Sequence, residues 1–188
     1  MTDSNAKSTT PRSGRFKLVL IMLVFLAPIV AAGMLTLSGW QPQGKGNGQP
    51  IVPQRSVADV RVDAGGKPWA WRDSEPRLTL VALPGPGCAE RCVQTLALMR
   101  NARIVLNRNA DRLRLLYIGA PPVVAGADAV MTDYVVGTDP ADAFAEFRPR
   151  EADSVAAVLV ESNATALAWY PAGFDPNGLR KDLQKVIR

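Results

Sequence analysis

"RLTLVALPGPGCAERCVQTLALMRNARIVL", Arg77 to Leu106, decides how this chain folds. Arg77 to Leu83 is a short β-prone run, stopped by Pro84. A Gly/Pro turn leads to Cys88. Beyond Cys92, the residues Leu98, Ala102, Val105 and Leu106 recur at helical spacing, with Arg100, Arg103 and Arg108 on other faces. The stretch predicts a strand, a tight turn and a helix of about four turns. Its Cys-x-x-x-Cys pair at the junction holds the chain's only cysteines, and the chain has no histidine.

Working outward, "RLRLLYIGA" returns as a strand, and its unbroken run from Leu115 to Ile118 suits a central position buried on both faces. "TDYVVG" reads as a further strand. Gly65-Gly66 before "KPWAW" predicts an earlier hairpin, in which Trp69 and Trp71 pack as strand residues. Asp139-Pro140 predicts the start of a helix through "PADAFAEF". Val155 to Val160 and Ala166 to Tyr170 flank the turn "ESNA" as a hairpin. The Asn163-Ala164-Thr165 triplet within it reads as a turn rather than a glycosylation site. "DPNGLRKDLQKVIR" predicts a terminal helix with Leu179, Leu183 and Val186 on one face, packed on the hairpin. This order is that of an α/β, thioredoxin-like sandwich.

At the other end, Leu18 to Leu37 contains no charged residue. About 20 apolar residues in a helix span a bilayer core, and a helix satisfies its own backbone there. The flank before the run carries a local charge of +3, from Lys7, Arg12, Arg15 and Lys17 against Asp3. The positive side stays in the cytoplasm, and Trp40 falls at interface depth. A signal peptide cut after Ala32 is the alternative, but the run outlasts the usual h-region of about 7 to 15 residues. The organisation expected is a cytoplasmic tail (1–17), a transmembrane anchor (18–38), a Gly/Pro/Gln-rich linker (39–53) and a periplasmic domain (54–188) on a bacterial inner membrane.

The whole chain carries a formal charge of +5. The tail accounts for most of it, which argues against a nucleic-acid surface. Arg100, Arg103, Arg108, Arg112 and Arg114 read as a solvated face. A triad using histidine is excluded, and no phosphate-cradling glycine motif or carboxylate dyad occurs.

Cys88 and Cys92 are therefore the candidate site. A helix start offers unpaired N–H groups and the positive end of the dipole, both of which stabilise a thiolate, and the thiolate is the nucleophile and metal ligand. Cys88 would attack and Cys92 would resolve in dithiol–disulfide exchange. The same two thiolates would suit Cu(I), with Met99 or Met131 as candidate third donors. Met99 reads more simply as a core residue. A local disulfide without catalysis is the third reading, although so short a loop gains little stability from closure.

The pair Cys88 and Cys92 within "GPGCAERC", together with "GWQPQGKGNGQPIVPQR" and the ending "WYPAGFDPNGLRKDLQKVIR", resembles the Sco/SenC group: membrane-anchored, thioredoxin-fold copper and thiol proteins of cytochrome c oxidase assembly. The resemblance implies a role in oxidase assembly by thiol–disulfide oxidoreductase chemistry, Cu(I) handling, or both. Its implied partners are the inner membrane and an oxidase subunit or another assembly factor. The alternative is a non-catalytic scaffold whose cysteines form a structural disulfide. One departure stands out. Sco proteins complete their copper site with a histidine just before the last hairpin, where this chain reads Ala152, Asp153 and Ser154. The cis-proline that the fold's usual oxidoreductases place opposite the pair has Pro149 as its one candidate here.

Overall fold

The computed structural model describes residues 12–37 and 46–187. They fall in two units, one ending at Gln43 and the other beginning at Gly44. The first unit is a helix, α1 (Arg12–Leu37), of 26 residues with Pro28 inside it. The described apolar side chains of α1, Leu20 to Leu26 among them, are exposed. Over the described residues, no helix is long and apolar enough to cross a membrane. The side chains of Arg12 to Phe16, Val19, Ala31, Ala32 and Leu35 to Leu37 lie outside the described residues, as do the tail to Pro11 and the linker from Ser38 to Lys45 with Trp40.

The second unit is built from β1 (Gln49–Ser56), β2 (Asp63–Ala64), β3 (Lys67–Pro68), β4 (Leu78–Pro84), α2 (Glu90–Ile104), β5 (Leu113–Ile118), α3 (Ala127–Met131), β6 (Val135–Thr138), β7 (Val155–Val160), β8 (Thr165–Tyr170) and α4 (Pro176–Val186). The strands form one sheet in the order β1-β8-β7-β4-β5-β6-β2-β3. Parallel β4 and β5 lie at its centre, with Leu80 opposite Leu115, and antiparallel β7 flanks β4, with Val81 opposite Val158. All seven residues of β4 are buried, as expected of a strand covered on both faces.

Alternation along the strands divides the core in two. Leu80, Ala82, Leu115, Tyr117, Ala157 and Leu159 face Leu96, Met99, Leu179 and Leu183 of α2 and α4. On the other side, Val81, Leu83, Leu116, Ile118, Val158 and Val160 face Val57, Val62, Trp71, Phe144 and Phe147. An aromatic row runs through that layer, Trp71 to Phe144 at 5.7 Å, Phe144 to Phe147 at 6.4 Å and Phe147 to Trp169 at 6.1 Å between ring centroids. Trp71 and Trp69 thus serve packing, outside any strand.

The central strands, the Gly65-Gly66 turn, the β7–β8 hairpin and the terminal helix stand as the sequence predicts. Asp175 caps α4, its carboxylate accepting from the N–H groups of Asn177 and Gly178. Four readings change. The stretch read as linker up to Pro53 enters the sheet from Gln49, where β1 pairs antiparallel with β8. The helix predicted after Asp139 shrinks to a single 3-10 turn, Ala145–Phe147. Asp142 takes a left-handed φ of 48° there, and the Asp139 carboxylate turns to the N–H of Phe144 at 3.0 Å. On α2 the inward stripe is Cys92, Val93, Leu96, Met99 and Ala102, with Leu106 buried just beyond. Leu98 and Val105 are 46% and 47% exposed. On α4, Ile187 just past the helix is buried in place of Val186.

The arginine face is also less free than expected. Arg100 pairs with Asp133. Arg103 Nε donates to the carbonyl of Leu113 at 2.9 Å. Arg114 donates to Thr79 Oγ1 at 2.9 Å and lies over the Trp69 ring. These three cations tie helix, strand and loop together.

Candidate functional site

Strand β4 ends at Pro84, and Gly85-Pro86-Gly87 swings the chain onto the start of α2, with Gly87 at a φ of 61°. Cys88 stands just before the N-cap residue Ala89, and Cys92 lies in the first turn of α2. A disulfide joins them, with their Cα atoms 5.2 Å apart. Cys92 is fully buried in the core against Leu96. Cys88 is half-buried and opens onto a groove lined by Pro86, Tyr117, Pro121, Val123 and Pro149. A partner's sulfur can therefore reach Cys88 and cannot reach Cys92. Tyr117 is held at the groove floor, its hydroxyl donating to the carbonyl of Ala120 at 2.8 Å. Burial pushes its pKa up to about 12.

Ala89 has no side chain able to cap α2, and the cap comes from across the fold. Asp153 Oδ1 accepts from the N–H of Ala89 at 2.8 Å and of Cys92 at 2.9 Å, and Oδ2 accepts from the N–H of Arg91 at 3.1 Å. The next donor, Val93 N–H, is bonded to the carbonyl of Ala89. The bond from Cys92 first, then those from Ala89 and Arg91, hold the Asp153 carboxyl below the usual carboxylate range, against the opposing effect of desolvation. Arg91 adds an ion contact to Asp153 at 3.5 Å and one to Glu151 at 3.6 Å. Three of the N–H groups expected to hold a Cys88 thiolate, those of Ala89, Arg91 and Cys92, are therefore engaged by Asp153. No local sequence signal could show this, because donors and acceptor stand more than sixty residues apart.

The loop that carries Asp153 is fastened to the cysteine turn. Asp153 N–H donates to the carbonyl of Pro86 and Gly85 N–H to that of Ser154. Ser154 Oγ donates to the carbonyl of Glu151 at 2.6 Å. Pro149 lines the groove beside Cys88, with a trans peptide bond before it.

Cu(I) prefers soft thiolate and thioether donors, and the candidates for a third ligand are engaged elsewhere. Met99 is fully buried in the core, and Met131 packs against the edge of that core. Asp153, which stands where the resemblance places a histidine, has both oxygens bonded to amides. Among the described residues no group of three or more His, Cys, Asp or Glu side chains could hold a metal. A three-donor copper centre does not fit these residues.

Residues 78–188 match the family model described as "transmembrane-like, thioredoxin-like, C-terminal domain", and the chain belongs to that family. None of the curated proteins matches it. Solved structures similar to it include ScoI of Bradyrhizobium japonicum with copper bound, 12% identical, covering 74% of this chain and 98% of its own, with a TM-score of 0.47. ScoI of Arabidopsis thaliana with copper bound is 15% identical over 76% and 99% of the two chains, with a TM-score of 0.48. A Chlorobium tepidum protein described as thiol:disulfide interchange protein DsbE is 12% identical over 74% and 94%, with a TM-score of 0.44.

Proposed function

We propose that this protein is a thiol–disulfide exchange protein anchored in the bacterial inner membrane, with its thioredoxin-like domain in the periplasm, and that it serves cytochrome c oxidase assembly by exchanging disulfides with an oxidase subunit or another assembly factor. One observation carries the chemistry: Cys88 opens onto a groove while its partner Cys92 is sealed in the core. That asymmetry is what a nucleophile and a resolving thiol require. The charge-free run from Leu18, the positive flank before it and the exposed apolar side chains of α1 support the anchor. The oxidase rests on the Sco/SenC resemblance of the cysteine motif and the chain's ending.

The test uses the full chain in cells. Cys92→Ser is expected to accumulate a mixed disulfide through Cys88 with the copper-binding oxidase subunit, detected with an antibody to that subunit, and Cys88→Ser to accumulate none. Oxidase activity lost on deletion should return with the wild-type chain and not with Cys88→Ser. Full restoration by the double Cys→Ser variant would make the protein a scaffold. Tight uptake of Cu(I) by the reduced full chain, against a competing chelator, would make it a copper carrier.

A further inference from the structure

Three of the amide donors that a Cys88 thiolate would use at the start of α2 already point at one carboxylate, that of Asp153. We propose that Asp153 is the positioning residue that sets the direction of exchange at this pair: by occupying those donors it leaves the dithiol poorly stabilised, so that the reduced protein is a strong reductant of client disulfides. The inference rests on the exchange reading above and adds the direction of electron flow.

The physics follows from what each redox state asks of the helix start. In the disulfide neither sulfur carries charge, and Asp153 satisfies these three N–H groups without competition. After reduction a Cys88 thiolate would need those same donors, the Cys92 N–H above all, and would meet a carboxylate in their place. Arg91 and Glu151 flank Asp153 with opposite charges, and Glu90 adds another negative group in the first turn. Helix N-termini that stabilise a thiolate make oxidising pairs, because the reduced form is then favoured. Filling the N-terminus reverses that preference.

Asp153 is also held where it does this by design of the backbone. Its φ of 52° is left-handed, a conformation uncommon outside glycine, though asparagine and aspartate adopt it more readily than most. Its own N–H is fixed by the Pro86 carbonyl at 3.0 Å.

The reaction is a two-electron exchange. Cys88 thiolate attacks a client disulfide, the Cys88–client S–S bond forms, and the client's own S–S bond breaks, its leaving sulfur taking a proton. Cys92, losing its proton, then attacks Cys88 Sγ, closing the internal disulfide and releasing the client as a dithiol. An upstream dithiol donor must return the two electrons and two protons.

The test equilibrates the full chain, in detergent micelles, with glutathione and dithiothreitol redox buffers and counts thiols by maleimide mass shift. The wild type should stay oxidised in glutathione buffer and become reduced only by dithiothreitol. Asp153→Asn, which keeps an acceptor without the charge, should move the equilibrium at least tenfold toward the dithiol, about 30 mV for a two-electron couple. Asp153→Ser, an uncharged capping residue, should move it the same way, and serves where the asparagine variant does not fold. Constants unchanged within twofold in a folded variant, a shift toward the disulfide, or a wild type reduced readily by glutathione would each overturn the proposal. Mixed-disulfide trapping with the client is a separate readout: its absence sinks the exchange reading and leaves the equilibrium shift standing.

Discussion

Gly85 lies directly beneath the backbone carbonyl of Glu151, so a Cβ on it would overlap that oxygen and stand 2.8 Å from Ser154 Oγ. The contact presses the loop that carries Asp153 onto the turn that carries Cys88. Backbone cannot move aside as a flexible side chain can. Gly85→Ala should therefore lift the loop and cost about 1–3 kcal/mol, in the range of overpacked interiors. Chemical denaturation of the full chain checks the stability. The same variant should raise the dithiol fraction in the Asp153 direction, because the carboxylate retreats from the amides.

Acid should undo the same cap. The Asp153 carboxyl titrates below the usual carboxylate range in the folded protein, chiefly through the Cys92 N–H. A depressed folded value means that the bonds contribute their full stability above the unfolded value of about 3.9, and lose it as pH falls through the lower folded one. Amide resonances of Ala89, Arg91 and Cys92 should move together in a titration with a midpoint below that of an exposed aspartate. Asp153→Asn should abolish the shared transition. Separate midpoints for the three amides would refute a single cap.

Much of this site was legible in residues 77–106, where a β-prone run, glycines and prolines, and the cysteine spacing are all local signals. The capped start of α4 at Asp175-Pro176 was legible for the same reason. The inward face of α2 was misread because several apolar residues fit a helical period at different phases. Which phase faces inward is decided by the sheet, through Leu80, Leu115 and Tyr117. The helix after Asp139 failed because the Asp139 carboxylate bonds the N–H of Phe144, five residues on rather than the two or three of an N-cap, and Asp142 takes a left-handed φ that an α-helix does not contain. Strand β1 was hidden by its two prolines and its glutamines. It exists through pairing with β8, more than a hundred residues later.

That distant pairing has an anchor. Asp182, only 7% exposed, accepts from Asn47 N–H at 2.6 Å, Gly48 N–H at 3.1 Å, Asn47 Nδ2 at 3.1 Å and Tyr170 Oη at 3.2 Å. Gly48 approaches the Tyr170 ring so closely that a Cβ would stand 2.6 Å from it. Asp182→Ala takes this acceptor from the N–H groups of Asn47 and Gly48 and from the buried Tyr170 hydroxyl, while Asn47 Nδ2 keeps the carbonyl of Gly178 at 3.1 Å; an unmet buried donor costs about 1–3 kcal/mol. A loss of about 2–4 kcal/mol is expected, because water reaches some of the freed groups. Hydrogen exchange should quicken at Asn47 and Gly48 while the central strands β4 and β5 keep their protection. Asp182→Asn, which keeps an acceptor, should lose less.

Met99 separates the core reading of its thioether from a metal-binding one. Its side chain is fully buried among Leu96, Leu115 and Tyr134. Truncation to alanine there should cost about 2–5 kcal/mol through lost burial and the cavity left behind. Leucine keeps the volume and removes the sulfur, and such swaps cost less than about 1.5 kcal/mol. Met99→Leu should therefore fold, keep the Cys88–Cys92 equilibrium of the wild type and leave any Cu(I) uptake by the reduced chain unchanged. Denaturation, the glutathione and dithiothreitol equilibrium, and the chelator competition read these three outcomes on one preparation. A variant of normal stability whose Cu(I) uptake falls more than tenfold would make the thioether a ligand, and would require α2 to open its buried face when copper binds.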